Sequence, residues 1–183
     1  SMNDDYKGLE VKIGTKPTSS HRPALNIPDS LFGFPVTIIE DNAFRNCYYF
    51  SSLQLPENLT YIGDYAFAGS SSGSSVSSMG FAGELEIPSS VTSIGNHAFY
   101  LCNTFTSLTF EENSKLETIG DYAFAGYKYS NYYGQSYNSM NFAGELEIPS
   151  SVTYIGNHAF YLCNKFTSLT FEENSKLETI GDY

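Results

Sequence analysis

Residues 81–122 read FAGELEIPSSVTSIGNHAFYLCNTFTSLTFEENSKLETIGDY, and residues 142–183 repeat that string with two changes, Ser93 becoming Tyr154 and Thr104 becoming Lys165. The offset is 154 − 93 = 61 residues. Self-similarity at a fixed spacing outranks any local signal, because each unit must bury its apolar face against its neighbours. Working outward from this pair, a shorter phrase, Ile-x-x-x-Ala-Phe, occurs at Ile39/Ala43/Phe44, Ile62/Ala66/Phe67, Ile94/Ala98/Phe99, Ile119/Ala123/Phe124 and Ile155/Ala159/Phe160, and begins again at Ile180. Ahead of each copy stands a short alternating segment: Leu25/Ile27, Leu53/Leu55, Leu85/Ile87, Leu108/Phe110, Leu146/Ile148 and Leu169/Phe171.

The tightest spacing between these segments, Leu85 to Leu108, is 108 − 85 = 23 residues. A period of roughly 20–29 with one strand per unit belongs to solenoids of the leucine-rich type. Leu85-Glu86-Ile87 has the period of a strand that buries Leu and Ile and shows Glu84 and Glu86 to water. Pro88 ends it, since proline cannot donate to a ladder, and Pro28, Pro56 and Pro149 do the same elsewhere. Val91 to Ile94 then carries the chain to the opposite wall, where Gly95 allows a sharp turn. All six copies next carry Asp or Asn: Asp41, Asp64, Asn96, Asp121, Asn157 and Asp182. Such residues favour the N-cap of a helix, so Ala98 to Cys102 reads as one or two helical turns. The expected fold class is an α/β solenoid: a right-handed leucine-rich-repeat coil with parallel strands on one face and short helical turns on the convex side. Its phenylalanines should stack in a continuous spine.

The pattern Leu-x-Ile-Pro-Ser-Ser-Val-Thr-x-Ile-Gly-x-x-Ala-Phe-x-x-Cys, at Leu85 to Cys102 and Leu146 to Cys163, resembles the BspA-type (Treponema pallidum-type) leucine-rich repeats. The resemblance runs from about Ala24 to Tyr183, and Leu25 to Phe44 is similar to a first full repeat of such proteins. It implies a secreted or surface-anchored protein, linked with adhesion to host proteins or other microbes. A repeat fold does not by itself name a ligand.

Along the chain, Ser1-Met2 reads as an expression remnant and residues 3–23, with alternating Leu9-Val11-Ile13, as an N-terminal cap. Residues 24–183 form the array of about six coils, which reads as cut short at Gly181-Asp182-Tyr183, where Ala-Phe should follow. Two long gaps, Leu53 to Leu85 and Leu108 to Leu146, mark insertions at residues 70–80 and 127–141. The first is rich in Ser and Gly and reads as flexible. The second, YKYSNYYGQSYNSMN, carries Tyr127, Tyr129, Tyr132, Tyr133 and Tyr137 among Ser, Asn and Gly. The two should project from the same flank.

That second insertion is the first candidate site. Tyrosine offers rigid amphipathic contact area at low entropic cost, and Ser, Gly and Asn adapt their hydrogen bonding. The alternative is that the tyrosines fold back and cover the convex side. The second candidate is the row Glu84, Glu86, Glu145 and Glu147, separated by Ser107 and Thr109 on the strand between. Such a row either meets a cationic partner or a weakly held Ca²⁺, or is a solvated acidic face. Strands ~4.8 Å apart put the two Glu pairs ~10 Å from each other, too far to share one ion. Cys47, Cys102 and Cys163 share one repeat position and read as small buried hydrophobes, reduced, with no metal site. His97 and His158, also repeat equivalents, read as structural or solvent-facing.

With 20 acidic against 9 basic residues and a formal charge of −11, the surface repels phosphate backbones and anionic lipid headgroups, which excludes nucleic acid and membrane-surface partners. No stretch reaches the ~20 apolar residues of a membrane span. Asn58-Leu59-Thr60 is a glycosylation sequon, meaningful only in a eukaryotic secretory host. Nearly every polar residue recurs in a sibling coil, whereas a catalytic constellation is unique, so no enzyme, catalytic residue or cofactor is expected. The expectation is an extracellular or cell-surface, monomeric interaction scaffold for a host or microbial surface protein or glycan. A structural spacer in a surface stalk is the alternative.

Overall fold

Gly83–Ile87 is the strand that the alternation of Leu85 and Ile87 demands: both side chains are buried while Glu84 and Glu86 are exposed. It pairs in parallel with Phe105–Phe110, Leu85 opposite Leu108. The same pairing joins Ala143–Ile148 to Lys165–Phe171 and Ala24–Asn26 to Ser52–Gln54, with Leu146 opposite Leu169 and Leu25 opposite Leu53. These coordinates are a computed structural model, and they describe residues 22–182. The expression remnant and most of the expected cap fall on residues 1–21 and so lie outside the described residues.

The wall of long strands is built as three separate two-stranded sheets. The ladder breaks at the two places where the insertions enter, ahead of Gly83–Ile87 and ahead of Ala143–Ile148. Each hairpin-bearing coil re-enters the wall through a glycine in the left-handed region, Gly83 at φ +89° and Gly144 at φ +86°, where a side chain would be strained. Opposite these glycines the partner strand carries one extra residue, Thr106 or Thr167, as a bulge.

Parallel strands line the opposite wall too, which corrects the expectation of strands on one face. Ile38–Ile39, Tyr61–Ile62, Ser93–Ile94, Thr118–Ile119, Tyr154–Ile155 and Thr179–Ile180 form one continuous six-stranded parallel sheet. Each strand is two residues long, too short to announce itself by alternation, yet every inner one has a partner on both sides. The architecture is therefore a parallel β-solenoid of about six turns.

The expected helical turns do not form, and no helix occurs among the described residues. The N–H groups that a helix would use internally are committed to the next coil. Phe44 donates to Ala66 O at 2.7 Å, and Phe67, Phe99 and Phe124 donate to Ala98, Ala123 and Ala159 O at 2.8 Å. Between them, each Ala N–H closes a tight turn onto the residue three before it, at 3.2–3.4 Å. The residue preceding that Ala is left-handed in every coil: Asn42 (φ 60°), Tyr65 (57°), His97 (56°), Tyr122 (54°) and His158 (57°). A left-handed residue at this point interrupts right-handed winding in each of these coils.

The Asp/Asn position is likewise not an N-cap. Asp41 Oδ1 accepts the Asp64 N–H at 2.8 Å, Asp64 Oδ1 the Asn96 N–H at 2.6 Å, and Asn96 Oδ1 the Asp121 N–H at 2.8 Å. Asp121 and Asn157 continue the series to Asn157 and Asp182. Each carboxylate or amide thus tethers its own coil to the same position of the next. The coils approach so closely here that a Cβ on Gly95 would lie 2.5 Å from Asp64 Oδ1 and 2.7 Å from Asp64 N. Glycine at this position is required by proximity, not by a left-handed turn. Ile39 is instead followed by Glu40 in the coil whose strand is the edge of the six-stranded sheet.

Inside, Phe44, Phe67, Phe99, Phe124 and Phe160 form the expected spine, with successive centroids 5.2–5.4 Å apart and rings within 12° of parallel. A second column, Phe50, Phe81, Phe105, Phe142 and Phe166, runs beside it at 5.7–6.5 Å. Edge contacts of Phe67 with Phe81 and Phe124 with Phe142 join the two. Offset and edge contacts of this kind stabilise aromatic pairs beyond their burial alone.

The three cysteines are free thiols. Cys102 Sγ donates to Phe67 O at 3.2 Å and Cys163 Sγ to Phe124 O at 3.1 Å. Burial pushes all three thiols up, Cys102 and Cys163 furthest.

Candidate functional site

The second insertion folds into an antiparallel hairpin, Tyr127–Asn131 against Gly134–Asn138. Tyr127 faces Asn138, Tyr129 faces Ser136, and Tyr132-Tyr133 occupy the tip. The tip is closed by an Asx turn in which Asn131 Oδ1 accepts the Tyr133 N–H at 2.9 Å. At the base, a Cβ on Gly126 would run into Asn138 O, so only glycine lets the two strands leave the coil together.

The Ser-rich insertion is not a flexible linker. Ser70–Ser72 pairs with Ser75–Ser77 as a shorter antiparallel hairpin. Its hydroxyls explain the order: Ser70 Oγ meets the Tyr48 hydroxyl at 3.0 Å and Ser71 Oγ the Tyr100 hydroxyl at 3.1 Å. The two hairpins touch, with the Tyr127 hydroxyl donating to Gly73 O at 3.1 Å.

The five candidate tyrosines divide into two groups. Tyr132, Tyr133 and Tyr137 are 98%, 93% and 53% exposed. Tyr127 and Tyr129 are half-buried beside the Ser-rich hairpin; a Cβ on Gly73 would sit 3.8 Å from the Tyr129 ring. The rings of Tyr132 and Tyr133 stand at 88° with centroids 5.6 Å apart. Tyr137 donates its hydroxyl to Gln135 Oε1 and carries Lys128 Nζ 5.3 Å from its ring centroid.

Glu84, Glu86, Glu145 and Glu147 are all exposed, but on the long-strand wall rather than on the hairpins. Ser107 and Thr109 stand opposite Glu84 and Glu86, Ser168 and Thr170 opposite Glu145 and Glu147, so no two glutamates face each other across a rung. Thr109 Oγ1 donates to Glu84 Oε1 at 3.2 Å. Among the described residues no group of three or more His, Cys, Asp or Glu is placed to hold a metal ion. No helix of the described residues is long and apolar enough to cross a membrane.

One feature escaped the sequence reading. The left-handed position of the convex turn carries Tyr65, His97, Tyr122 and His158 in successive coils, and their rings stack at 4.6, 4.8 and 4.6 Å. Arg45 caps the column 4.5 Å above Tyr65. Burial between the two tyrosines pushes the His97 imidazole down, opposed by the Asp121 and Asp64 carboxylates and reinforced by Arg45. The slot was visible in the repeat alignment, but Asn42 in the first coil and the alternation of Tyr and His after it hid the fact that the four occupants from Tyr65 to His158 are flat rings.

Two stacked aromatic columns inside, parallel strands on both walls and a repeat of about 23 residues define the chain as a leucine-rich-type β-solenoid. The BspA type leucine-rich repeat region matches it in six copies over residues 24–126 and 77–183, so the chain belongs to that family. It is similar to the solved leucine-rich repeat protein of T. pallidum, TpLRR, at 25% identity over 81% of this chain and 58% of that one, with a TM-score of 0.61. The pneumococcal vaccine antigen PcpA shares the fold at 24% identity over 87% of this chain and 42% of its own, TM-score 0.57. So does a leucine-rich repeat protein from Bacteroides ovatus, at 24% over 85% and 38%, TM-score 0.59. The chain thus spans between 38% and 58% of those three proteins. No curated protein matches it.

Proposed function

We propose that this chain is a non-enzymatic interaction scaffold, displayed outside the cell or at its surface, that presents the Tyr-rich hairpin to a partner on a host or microbial surface. The observation that carries the reading is an internal comparison. A hairpin of Ser, Gly and one Val leaves the coil after Phe67, and a Tyr-rich one leaves after Phe124. The first hairpin is built without a tyrosine, so Tyr132 and Tyr133, nearly fully exposed, are not needed by the fold. Exposed rigid aromatics among adaptable polar residues are the composition of a recognition surface. Family membership and the likeness to a vaccine antigen support a surface setting.

The second reading, a spacer that only lengthens a stalk, is favoured by the 42-residue unit repeated at an offset of 61, in which only Ser93/Tyr154 and Thr104/Lys165 differ. Binding of the purified chain to arrayed glycans and to purified extracellular-matrix proteins separates the two. The scaffold predicts at least one ligand, lost in the Tyr132→Ala/Tyr133→Ala double variant. No ligand in either array would leave the spacer standing.

A further inference from the structure

Resting on the reading of the Tyr-rich hairpin as a recognition surface, we propose that its ligand is an uncharged oligosaccharide. Twelve residues, 127–138, form the hairpin, and only Lys128 among them is charged; none is Leu, Ile, Val or Met. A protein partner takes roughly 20–30 residues a side around a desolvated apolar centre. This tip is too small and too polar for that.

It has instead the two features a pyranose needs. The rings of Tyr132 and Tyr133 meet at 88°, 5.6 Å apart, and make a corner with one aromatic floor and one aromatic wall. The electron-rich face of such a ring attracts the slightly positive C–H face of a sugar. Asn131 precedes the corner directly, and Gln135 and Ser136, exposed like it, follow on the returning strand and offer one polar side chain to each face of the hairpin. Amides and hydroxyls both donate and accept, which matches the dual character of sugar hydroxyls. Asn131 also accepts the Tyr133 N–H, which holds the backbone of the turn that carries the two rings. A chain of formal charge −11 with a single local cation disfavours sialylated or sulfated glycans over neutral ones.

Tyrosine emission averages over all 15 tyrosines of the chain, so binding is read by titration calorimetry. The purified chain is titrated with neutral lactose-, mannose-, glucose- and N-acetylglucosamine-based oligosaccharides and with sialylated and sulfated counterparts, alongside purified matrix proteins. At least one neutral oligosaccharide is expected to bind, more tightly than its anionic counterpart. Tyr132→Ala/Tyr133→Ala should weaken it at least about tenfold, Tyr132→Phe/Tyr133→Phe should retain it, and Ser74→Ala on the other hairpin should leave it unchanged. Neutral glycans failing to bind, an anionic preference, or indifference to the alanine pair would each overturn the proposal. If a matrix protein binds instead and the alanine pair abolishes it, the glycan is wrong while the recognition surface stands; silence in every arm removes both.

Discussion

At the scale of single residues, stability concentrates where one side chain contacts two coils. Phe99 is fully buried and stacks on both Phe67 and Phe124, so Phe99→Ala should cost about 3–5 kcal/mol in chemical denaturation. A change confined to surface magnitudes would show that the column does not carry the core. Gly95→Ala should cost about 1–3 kcal/mol despite adding only one methyl, because that carbon would sit 2.5 Å from Asp64 Oδ1. His97 has a pH consequence. Its folded value is lowered from 6.5, so the unfolded chain takes up the proton first as pH falls. Its contribution is therefore intact above about 6.5 and lost below it. His97→Phe, which keeps a ring in the stack, should therefore flatten the stability loss between pH 7.5 and 5. Identical pH profiles for the two proteins would refute this. Legibility in the sequence was uneven at this scale. The spine phenylalanines all follow Ala in a fixed phrase, whereas those of the second column, such as Phe81 and Phe105, lie four and three residues before their rungs, at no fixed offset.

At the scale of elements, the rungs were legible and the connections between them were not. Leu85-Glu86-Ile87 declares a half-buried strand by alternation alone. The Asp-x-Ala-Phe phrase imitates a helix start, but its N–H donors go to the neighbouring coil, and only the stacked partner reveals that. The Ser70–Ser77 run was misread for a related reason: its composition suggests a flexible linker, while its order comes from Tyr48 and Tyr100 on adjacent coils. Of the candidate site, the five tyrosines were legible by composition; which three face outward depends on hairpin register, which composition does not contain. This division predicts different outcomes within one hairpin. Tyr132→Ala/Tyr133→Ala should leave stability within about 0.5 kcal/mol of the parent, as for exposed positions generally. Tyr127→Phe deletes the hydroxyl bonded to Gly73 O and should speed amide exchange in residues 70–77 without altering the exchange of the rungs. Uniform exchange behaviour across both regions would mean the hairpins are not coupled.

At the scale of the whole molecule, a repeat with almost no internal variation produces a wall with periodic interruptions. The six-stranded sheet of two-residue strands runs unbroken through every coil, while the opposite wall opens twice to release a hairpin. The unbroken side, the two phenylalanine columns and the Asp/Asn tethers hold the stack in register, and the interrupted side is free to vary in content. Serine fills one opening and tyrosine the other, although the adjoining coils are nearly identical. Such a division suits a scaffold whose contacts lie in its insertions.

All of this depends on the coils being superposed in order. The most direct measurement is the set of nuclear Overhauser contacts between ring protons in a sample labelled only at phenylalanine. The account predicts a chain of contacts Phe44–Phe67–Phe99–Phe124–Phe160, with a parallel chain from Phe50 through Phe81, Phe105 and Phe142 to Phe166. Missing contacts between successive members, or contacts that skip a coil, would contradict it.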